Sequence, residues 1–157
     1  MAYDVADNVI TLFGGFANAT GNFLNDTWVL FDADGTGSLC SNIDCWSGPA
    51  NPGTVTQPSI REGQSSFYDP KTNTVHMFGG YNPTNGILND YWVLSGANNL
   101  SAAWKLTSPT GTAPLPRFLH TAVYDSSDHR MIIFGGEIAT NGLVTDTVNI
   151  LSDANTQ

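Results

Sequence analysis

Short apolar runs separated by polar, glycine-containing stretches recur along the chain. Three of these runs end in phenylalanine directly before a pair of glycines, at residues 9–13, 75–78 and 131–134. A run of four or five mainly apolar residues bounded by turn residues is typical of a β-strand buried on both faces. The pattern therefore predicts strands packed between neighbouring sheets.

The glycine pairs mark three copies of one repeat, spaced by 65 and then 56 residues. At one fixed offset before each pair lies Tyr-Asp, at residues 3–4, 68–69 and 124–125. After each pair comes an acidic residue, followed in the first two copies by two spaced tryptophans. The repeated positions are Gly14, Gly15, Asp26, Trp28 and Trp46; Gly79, Gly80, Asp90, Trp92 and Trp104; and Gly135, Gly136 and Asp146 in a weaker third copy.

Each repeat is predicted to form four short antiparallel strands. In the second copy these are residues 64–68, 74–78, 90–94 and 103–106, with a turn at 69–73 between the first two. We expect the second strand to end at the glycine pair, where the backbone turns sharply and the tryptophan of the third strand fills the free space. Such a unit cannot bury both faces alone and must stack, which favours a propeller blade.

Composition and charge narrow the possible functions. Only 12% of the residues are charged, and the scarcity of Glu, Lys and Arg argues against a helical bundle. The net charge is −9, and residues 1–60 contain no Lys or Arg. Without a basic patch we expect no binding to nucleic acid, and we expect no insertion into a membrane because no apolar run is long enough.

The sequence resembles the kelch-repeat family. The resemblance rests on the three glycine pairs, the Asn-Asp-x-Trp-x-Leu segments, the spaced tryptophans and the Arg-x-x-His motif at Arg117 and His120. It is greatest to secreted or surface kelch proteins of bacteria, which are called galactose-oxidase-like. The resemblance implies an extracellular or cell-surface location, a central channel lined by the first strand of each blade, and loops at both channel ends that bind protein or carbohydrate.

The repeats predict an all-β kelch propeller segment that is incomplete at both ends. Its blades cover about 1–58, 59–114 and 115–157; the first lacks its inner strand and its arginine, and the third lacks its fourth strand. About ten strands are clearly present, which at four strands per blade make two blades and part of a third. Propellers close with about four to eight blades. Further blades must come from the same chain or from another copy, so both a fragment and a self-assembling part-propeller stay open.

Five residues at or near the start of the inner strands are candidates for a binding site at the channel mouth: Arg61, Glu62, Gln64, Arg117 and His120. The alternative is structural. Each arginine would then bond loop carbonyls and an Asp of the adjacent blade, and the shared position of Gln64 and His120 would mark a repeated hydrogen bond. Asp26 and Asp90 are interpreted as loop caps, because an acceptor at that place satisfies local backbone amides.

No catalytic constellation can be assembled from the sequence, so we predict a non-catalytic interaction module without cofactor or metal. The alternative is a fragment of a galactose-oxidase-like or other kelch enzyme whose chemistry lies elsewhere. Residues 32–37 resemble a calcium loop but lack the acid at its twelfth position, which favours an ordinary turn. Cys40 and Cys45 lie in an insertion and are predicted to form a disulfide, with two free thiols as the alternative.

Overall fold

The computed structural model describes residues 1–17, 21–36, 45–48, 56–96 and 102–152, and this part of the chain is all β-structure. It forms antiparallel sheets that follow one another along the chain, as the repeat predicted. No helix occurs in the described ranges, so none of them contains a helix that could cross a membrane.

Two complete four-stranded sheets come from the first two repeats. In both, the strands pair in sequence order from the innermost to the outermost. Sheet 1 contains β1 (Ala2–Asp4), β2 (Val9–Ala17), β3 (Asn22–Phe31) and β4 (Trp46–Ser47), and sheet 2 contains β5 (Ser65–Asp69), β6 (Thr74–Asn82), β7 (Gly86–Ser95) and β8 (Ala103–Thr107).

The third repeat forms a three-stranded sheet and a small hairpin. Sheet 3 has the order β13-β10-β9, and the hairpin pairs β11 with β12. Among the described residues no fourth strand pairs with β13. The strands are β9 (Thr121–Asp125), β10 (Arg130–Phe134), β11 (Glu137–Ala139), β12 (Leu143–Val144) and β13 (Val148–Leu151).

The sheets pack face to face through two apolar cores. The core between sheets 1 and 2 includes Phe13, Met77 and Trp104, and the core between sheets 2 and 3 includes Phe78 and Met131. Sheet 2 is thus covered on both faces, which explains why its second strand carries apolar residues on both faces. Its positions from Val75 to Gly80 are all buried.

The turn between the first two strands of each repeat is built in the same way three times. The Asp that ends the first strand accepts hydrogen bonds from backbone N–H groups two or three residues later. This residue is Asp4, Asp69 and Asp125 in the three successive repeats. An Asp acceptor at this place stabilises a tight turn. The predicted turn at residues 69–73 is therefore confirmed.

Two details of the predicted strands are wrong. The first repeat does have an inner strand, because Ala2–Asp4 pairs with β2. In the first two repeats the strands also do not end at the glycine pairs: β2 and β6 continue to Ala17 and Asn82, and the register shifts at each pair. These two pairs are β-bulges, in which positive φ angles, such as those of Gly79 (65°) and Gly80 (108°), let the strand bend and go on. In the third repeat β10 ends at Phe134, directly before the pair, as predicted.

Candidate functional site

The glycine bulges receive the backbone of the segment that leads into the next repeat. Gly80 N donates to the carbonyl oxygen of Arg117 at 2.9 Å, and Arg117 N donates to Leu88 O at 3.0 Å. A Cβ atom on Gly79 would lie 2.6 Å from Arg117 O. The space beside this pair is therefore taken by backbone, and the prediction that Trp92 fills it is wrong.

The same docking occurs one repeat earlier. Gly15 N donates to Arg61 O at 2.9 Å, and Arg61 N donates to Leu24 O at 3.0 Å. A Cβ on Gly14 would approach Arg61 O to 3.0 Å. Each arginine is thus fixed by its backbone to the bulge of the preceding sheet.

The Arg61 side chain reaches from this bulge to the next one. It is completely buried and donates to Gly79 O at 2.9 Å and, through two nitrogens, to both carboxylate oxygens of Asp90 at 2.7 and 2.8 Å. A bidentate pair of this kind is among the strongest side-chain hydrogen bonds. Arg61 therefore joins sheets 1 and 2, and its acid belongs to the predicted blade of Arg61 itself, which corrects the expected Asp of the adjacent blade.

Arg117 occupies the equivalent position but meets no carboxylate in the described residues. It donates to Gly135 O at 3.0 Å and contacts the Thr147 hydroxyl at 3.4 Å. Burial lowers the pKa of this guanidinium, because the charged form loses solvation.

The third copy is shifted by one residue relative to the predicted alignment. Phe134 pairs with Val148 as Phe78 pairs with Tyr91, so Thr147, rather than Asp146, takes the position of Asp90. Asp146 is exposed. The connection between glycine pair and third strand is one residue longer here than in the second copy, which sequence matching without gaps misses.

Asp26 and Asp90 are structural, but not as backbone caps. Each accepts a hydrogen bond from the indole N–H of the tryptophan two residues later, at 2.7 Å for Trp28 and 2.6 Å for Trp92. The alternating side-chain direction of a strand places residues i and i+2 on one face, which brings these groups together.

Gln64 and His120 share a position and both reach back to the preceding sheet, with different partners. Gln64 donates to Phe13 O at 2.8 Å, and Nε2 of His120 lies 2.7 Å from the Ser65 hydroxyl. Burial, with a smaller effect of Arg117, lowers the pKa of His120 to about 4. Its Nδ1 has no hydrogen-bond partner, so in the described part of the chain no acid completes a triad with this Ser–His pair.

A row of aromatic rings lies on the same end of the molecule as the arginine segments. Ring centroids are 5.0 Å apart between Phe16 and Phe23, 5.8 Å between Phe23 and Tyr81, and 5.6 Å between Tyr81 and Phe118. We call these four residues the aromatic ladder. It runs from the hairpin of sheet 1 across sheet 2 to the segment that enters sheet 3.

The two glutamates of the chain lie beside the aromatic ladder. Glu62 and Tyr81 form a two-hydrogen-bond bridge of 2.8 and 3.0 Å, and Phe118 and Glu137 form the same bridge of 2.9 and 3.1 Å. In the first bridge the acid follows the arginine and the aromatic residue follows the glycine pair, whereas in the second bridge these two residue types are exchanged. A shallow pocket is lined by Glu62, Tyr81, Phe118 and Thr140. We call the aromatic ladder together with Glu62 and Glu137 the end surface.

Sequence reasoning singled out Glu62 but missed the aromatic ladder. A signal was present, since Phe16 and Tyr81 directly follow a glycine pair and Glu137 stands at that place in the third copy. Their convergence depends on the bulge, because only a strand that continues past the glycines carries these residues to the end of the molecule.

The remaining predicted residues lie away from the end surface. Trp104 is buried against sheet 1, whereas its equivalent Trp46 is 44% exposed on the open face of that sheet. Cys45 is disulfide-bonded, and Cys40 lies outside the described residues, so their pairing stays a prediction.

Comparison with known proteins places these features in a family. Residues 1–156 match the KLHDC2/KLHL20/DRC7 Kelch-repeats domain. The chain is 31% identical over 157 residues to host cell factor 2 of Homo sapiens, covering 93% of the chain and 18% of that protein. It is 29% identical over 160 residues to human host cell factor 1, covering 95% and 7%, and 27% identical over 144 residues to host cell factor of Drosophila melanogaster, covering 86% and 9%.

The chain spans less than a fifth of the length of these relatives. They are named as host cell factors and not as enzymes, which agrees with the predicted non-catalytic module. They give no support to the bacterial, galactose-oxidase-like subtype, and the extracellular location stays a prediction. Repeat, sheet order and family match lead to one conclusion: the chain belongs to the kelch-repeat family and forms part of a kelch β-propeller.

Proposed function

We propose that this kelch module binds a partner protein through the end surface, and that the partner segment is cationic and carries apolar side chains. The aromatic ladder supports this most strongly. Phe16 is 44% exposed, and Phe23, Tyr81 and Phe118 are each partly exposed. Aromatic rings that face solvent in a continuous row provide the large, rigid contact area found at the centre of protein interfaces.

The charges of the end surface set the sign of the partner. Glu62 and Glu137 contribute carboxylates, and in the described ranges neither forms an ion pair with Lys or Arg. The charge of Arg61 is compensated by Asp90, and Arg117 is buried beneath the surface and does not form an ion pair with either glutamate in the part of the chain that the structure describes. A Lys or Arg of the partner can approach these acids and the ring faces together, and a cation over an aromatic ring contributes about 0.5–2 kcal/mol.

The arginines have a positioning role in this proposal. Each holds two neighbouring sheets at fixed separation, and the residue that follows it, Glu62 or Phe118, belongs to the end surface. Carbohydrate is the second ligand class expected from the family resemblance, because sugars also stack on aromatic rings, but rings flanked by unpaired acids favour the cationic peptide.

Selection from a random peptide library tests the proposal. The 157-residue protein serves as bait, with Tyr81→Ala and Phe118→Ala as test variants. Leu106→Ala, which removes an exposed apolar side chain from the outermost strand of sheet 2, is the matched control. We expect selected peptides rich in Lys or Arg and in apolar residues, which bind wild type and Leu106→Ala equally and bind the test variants at least about tenfold more weakly.

Equal binding to all four proteins would overturn the proposal, provided that circular dichroism shows each variant folded. Selection of acidic or uniformly polar peptides would overturn the assigned partner chemistry. A glycan array run with the same four proteins decides between the ligand classes: glycan binding that requires Tyr81, without peptide binding, would replace protein by carbohydrate.

A further inference from the structure

The shallow pocket on the end surface combines two aromatic rings with one acid. Tyr81 and Phe118 provide the rings, Glu62 provides the acid, and Thr140 completes the lining. Glu62 and Tyr81 are joined by backbone hydrogen bonds in the second repeat, whereas Phe118 and Thr140 belong to the third repeat. The pocket therefore lies where two described repeats meet, and residues on both of its sides set its shape.

The two rings of the pocket are inclined to each other. Their centroids are 5.6 Å apart, and the planes of Tyr81 and Phe118 enclose an angle of 40°. A cation is attracted to the face of an aromatic ring when it lies within about 6 Å of the ring centroid. A planar guanidinium can lie flat against only one of two inclined rings, whereas a compact ammonium group can contact both. The geometry therefore favours lysine over arginine as the residue that enters the pocket.

The chemical state of this lysine follows from the cost of removing its water. An unmodified ammonium group is a compact, strongly hydrated charge, and it loses hydration when it enters a pocket with aromatic walls. Methyl groups on the nitrogen keep the positive charge, and they replace N–H donors by apolar surface that packs against the rings. Aromatic side chains recognise methylated ammonium groups for this reason. The pocket thus suits a methylated lysine better than an unmodified one.

Glu62 sets the number of methyl groups. It is partly exposed, and among the residues that the structure describes it forms no ion pair. Its carboxylate can accept a charge-assisted hydrogen bond from an ammonium N–H group. A dimethylammonium group has two methyl groups for the two rings and one N–H group for the carboxylate. A trimethylammonium group has no N–H group and leaves the carboxylate without this hydrogen bond.

We propose that the pocket of Glu62, Tyr81 and Phe118 binds the dimethylated lysine side chain of a partner protein. This inference rests on the proposed function, because the pocket is part of the end surface, and it names the cationic residue of the partner segment. Phe16 and Phe23, the part of the aromatic ladder outside the pocket, are left to contact the apolar side chains of that segment.

Four small probes test the proposal without a known partner. They are N-acetyl-lysine amide in its unmethylated, dimethylated and trimethylated forms, and the neutral analogue in which a tert-butyl group replaces the trimethylammonium group. Each is titrated with the 157-residue protein and followed by proton NMR. We expect the dimethylated probe to bind at least about tenfold more tightly than the unmethylated and neutral probes, and more tightly than the trimethylated probe. Its methyl signals should shift upfield, because the ring currents of Tyr81 and Phe118 act on protons above the ring faces.

Protein variants locate the binding of the probes. Tyr81→Ala and Phe118→Ala should each weaken binding of the dimethylated probe at least about tenfold. Glu62→Gln keeps the shape of the side chain but removes its charge, so the preference for the dimethylated over the trimethylated probe should disappear. Leu106→Ala, on the outermost strand of sheet 2, should change neither quantity.

Three results would overturn the proposal: equal binding of the unmethylated and dimethylated probes, equal binding of the neutral and trimethylated probes, or undiminished binding of the dimethylated probe to folded Tyr81→Ala. Failure of all four probes to bind would overturn it as well. The proposed function is judged separately, by the library peptides, which contain only unmodified lysine and arginine. If those peptides require Tyr81 while the probes show no preference for methylation, the proposed function stands and the dimethyllysine assignment alone is wrong.

Discussion

Two arginines of the repeat occupy the same position in successive sheets and face different acceptors. Arg61 is paired bidentately with Asp90, whereas Arg117 meets the hydroxyl of Thr147. A buried guanidinium loses its hydration, and a carboxylate compensates this loss better than a hydroxyl does. The connection between sheets 2 and 3 is thus expected to be the weaker one.

Exchanging these acceptors should change stability in opposite directions. Thr147→Asp supplies the missing carboxylate and should raise the free energy of unfolding by about 1 kcal/mol, while Asp90→Thr should lower it by about 3 kcal/mol. Urea unfolding followed by tryptophan fluorescence measures both. Asp146→Asn, one residue away and exposed, is the control and should change nothing beyond about 0.5 kcal/mol. If Asp146→Asn lowers the free energy of unfolding by more than this, Asp146 is itself stabilising and the assigned register is wrong.

Two buried histidines make the stability depend on pH. Burial lowers the pKa of His76 and of His120 to about 4 each; Asp69 partly opposes the shift at His76, and Arg117 adds to it at His120. The unfolded chain binds protons near pH 6.5 and the folded chain only near pH 4, so their stabilising contribution is complete above pH 6.5 and is lost as the pH falls towards 4.

The urea concentration at the unfolding midpoint should therefore decrease when the pH is lowered from 7.5 to 5. His120→Gln, which introduces the residue found at this position in the second repeat, should reduce that fall. The measurement is a urea titration at each pH for both proteins. An identical pH dependence of wild type and variant would contradict the assigned protonation of His120.

At the scale of the elements, the effect of the glycine pair on its strand is the feature that the sequence did not predict. Four strands per repeat and the turn at residues 69–73 followed from alternation and turn residues alone. Whether two glycines end a strand or bend it depends on the backbone that docks beside them, and here that backbone comes from about 40 residues further along the chain. Local sequence carries no information about such a distant neighbour.

Two alanine substitutions separate docking from backbone strain. Gly79 and Gly86 both have positive φ, 65° and 78°, but a Cβ would lie 2.6 Å from Arg117 O at Gly79 and would meet nothing within 4 Å at Gly86. Gly86→Ala should lower the free energy of unfolding by about 1 kcal/mol. Gly79→Ala should lower it by at least about 2 kcal/mol more, because a backbone oxygen must move. Equal losses in urea unfolding would exclude close docking at the bulge.

At the scale of the whole molecule, the two outermost sheet faces are apolar and open. On sheet 3, Val123, Phe134, Val148 and Ile150 are each 52–60% exposed, and Val123, Ile132 and Ile150 form one cross-strand row. On sheet 1, the row from Tyr3 through Ile10 and Leu30 to Trp46 is open in the same way. Both outer faces resemble the apolar sheet faces that pack against each other inside the molecule, as expected for a propeller segment.

The 157-residue chain should therefore self-associate as its concentration rises. Sedimentation velocity over a range of concentrations measures this, and the double variant Val148→Lys/Ile150→Lys should shift the distribution towards monomer because charges resist burial. Ser126→Lys, in the exposed turn between β9 and β10, serves as the control. A strict monomer at every concentration would rule out the self-assembling part-propeller as an alternative.

The candidate site was less predictable than the fold. The repeat placed Arg61 and Arg117 just ahead of the inner strands, but their burial follows from docking on the bulge of the preceding sheet and from the stacking of sheets, which no single repeat contains. The aromatic ladder arises from hairpins of two sheets and a connecting segment. Surfaces of this kind depend on how repeats are superposed in space, so composition and spacing alone could not predict the end surface.

The most direct test of the end surface is the dissociation constant of one selected cationic peptide, measured by titration calorimetry. We predict that Glu62→Gln/Glu137→Gln weakens binding at least about tenfold, since two opposite charges are removed from the contact, and that Leu106→Ala leaves it unchanged. An unchanged dissociation constant in the folded double variant, or an equal loss in Leu106→Ala, would contradict partner recognition at this end of the propeller segment.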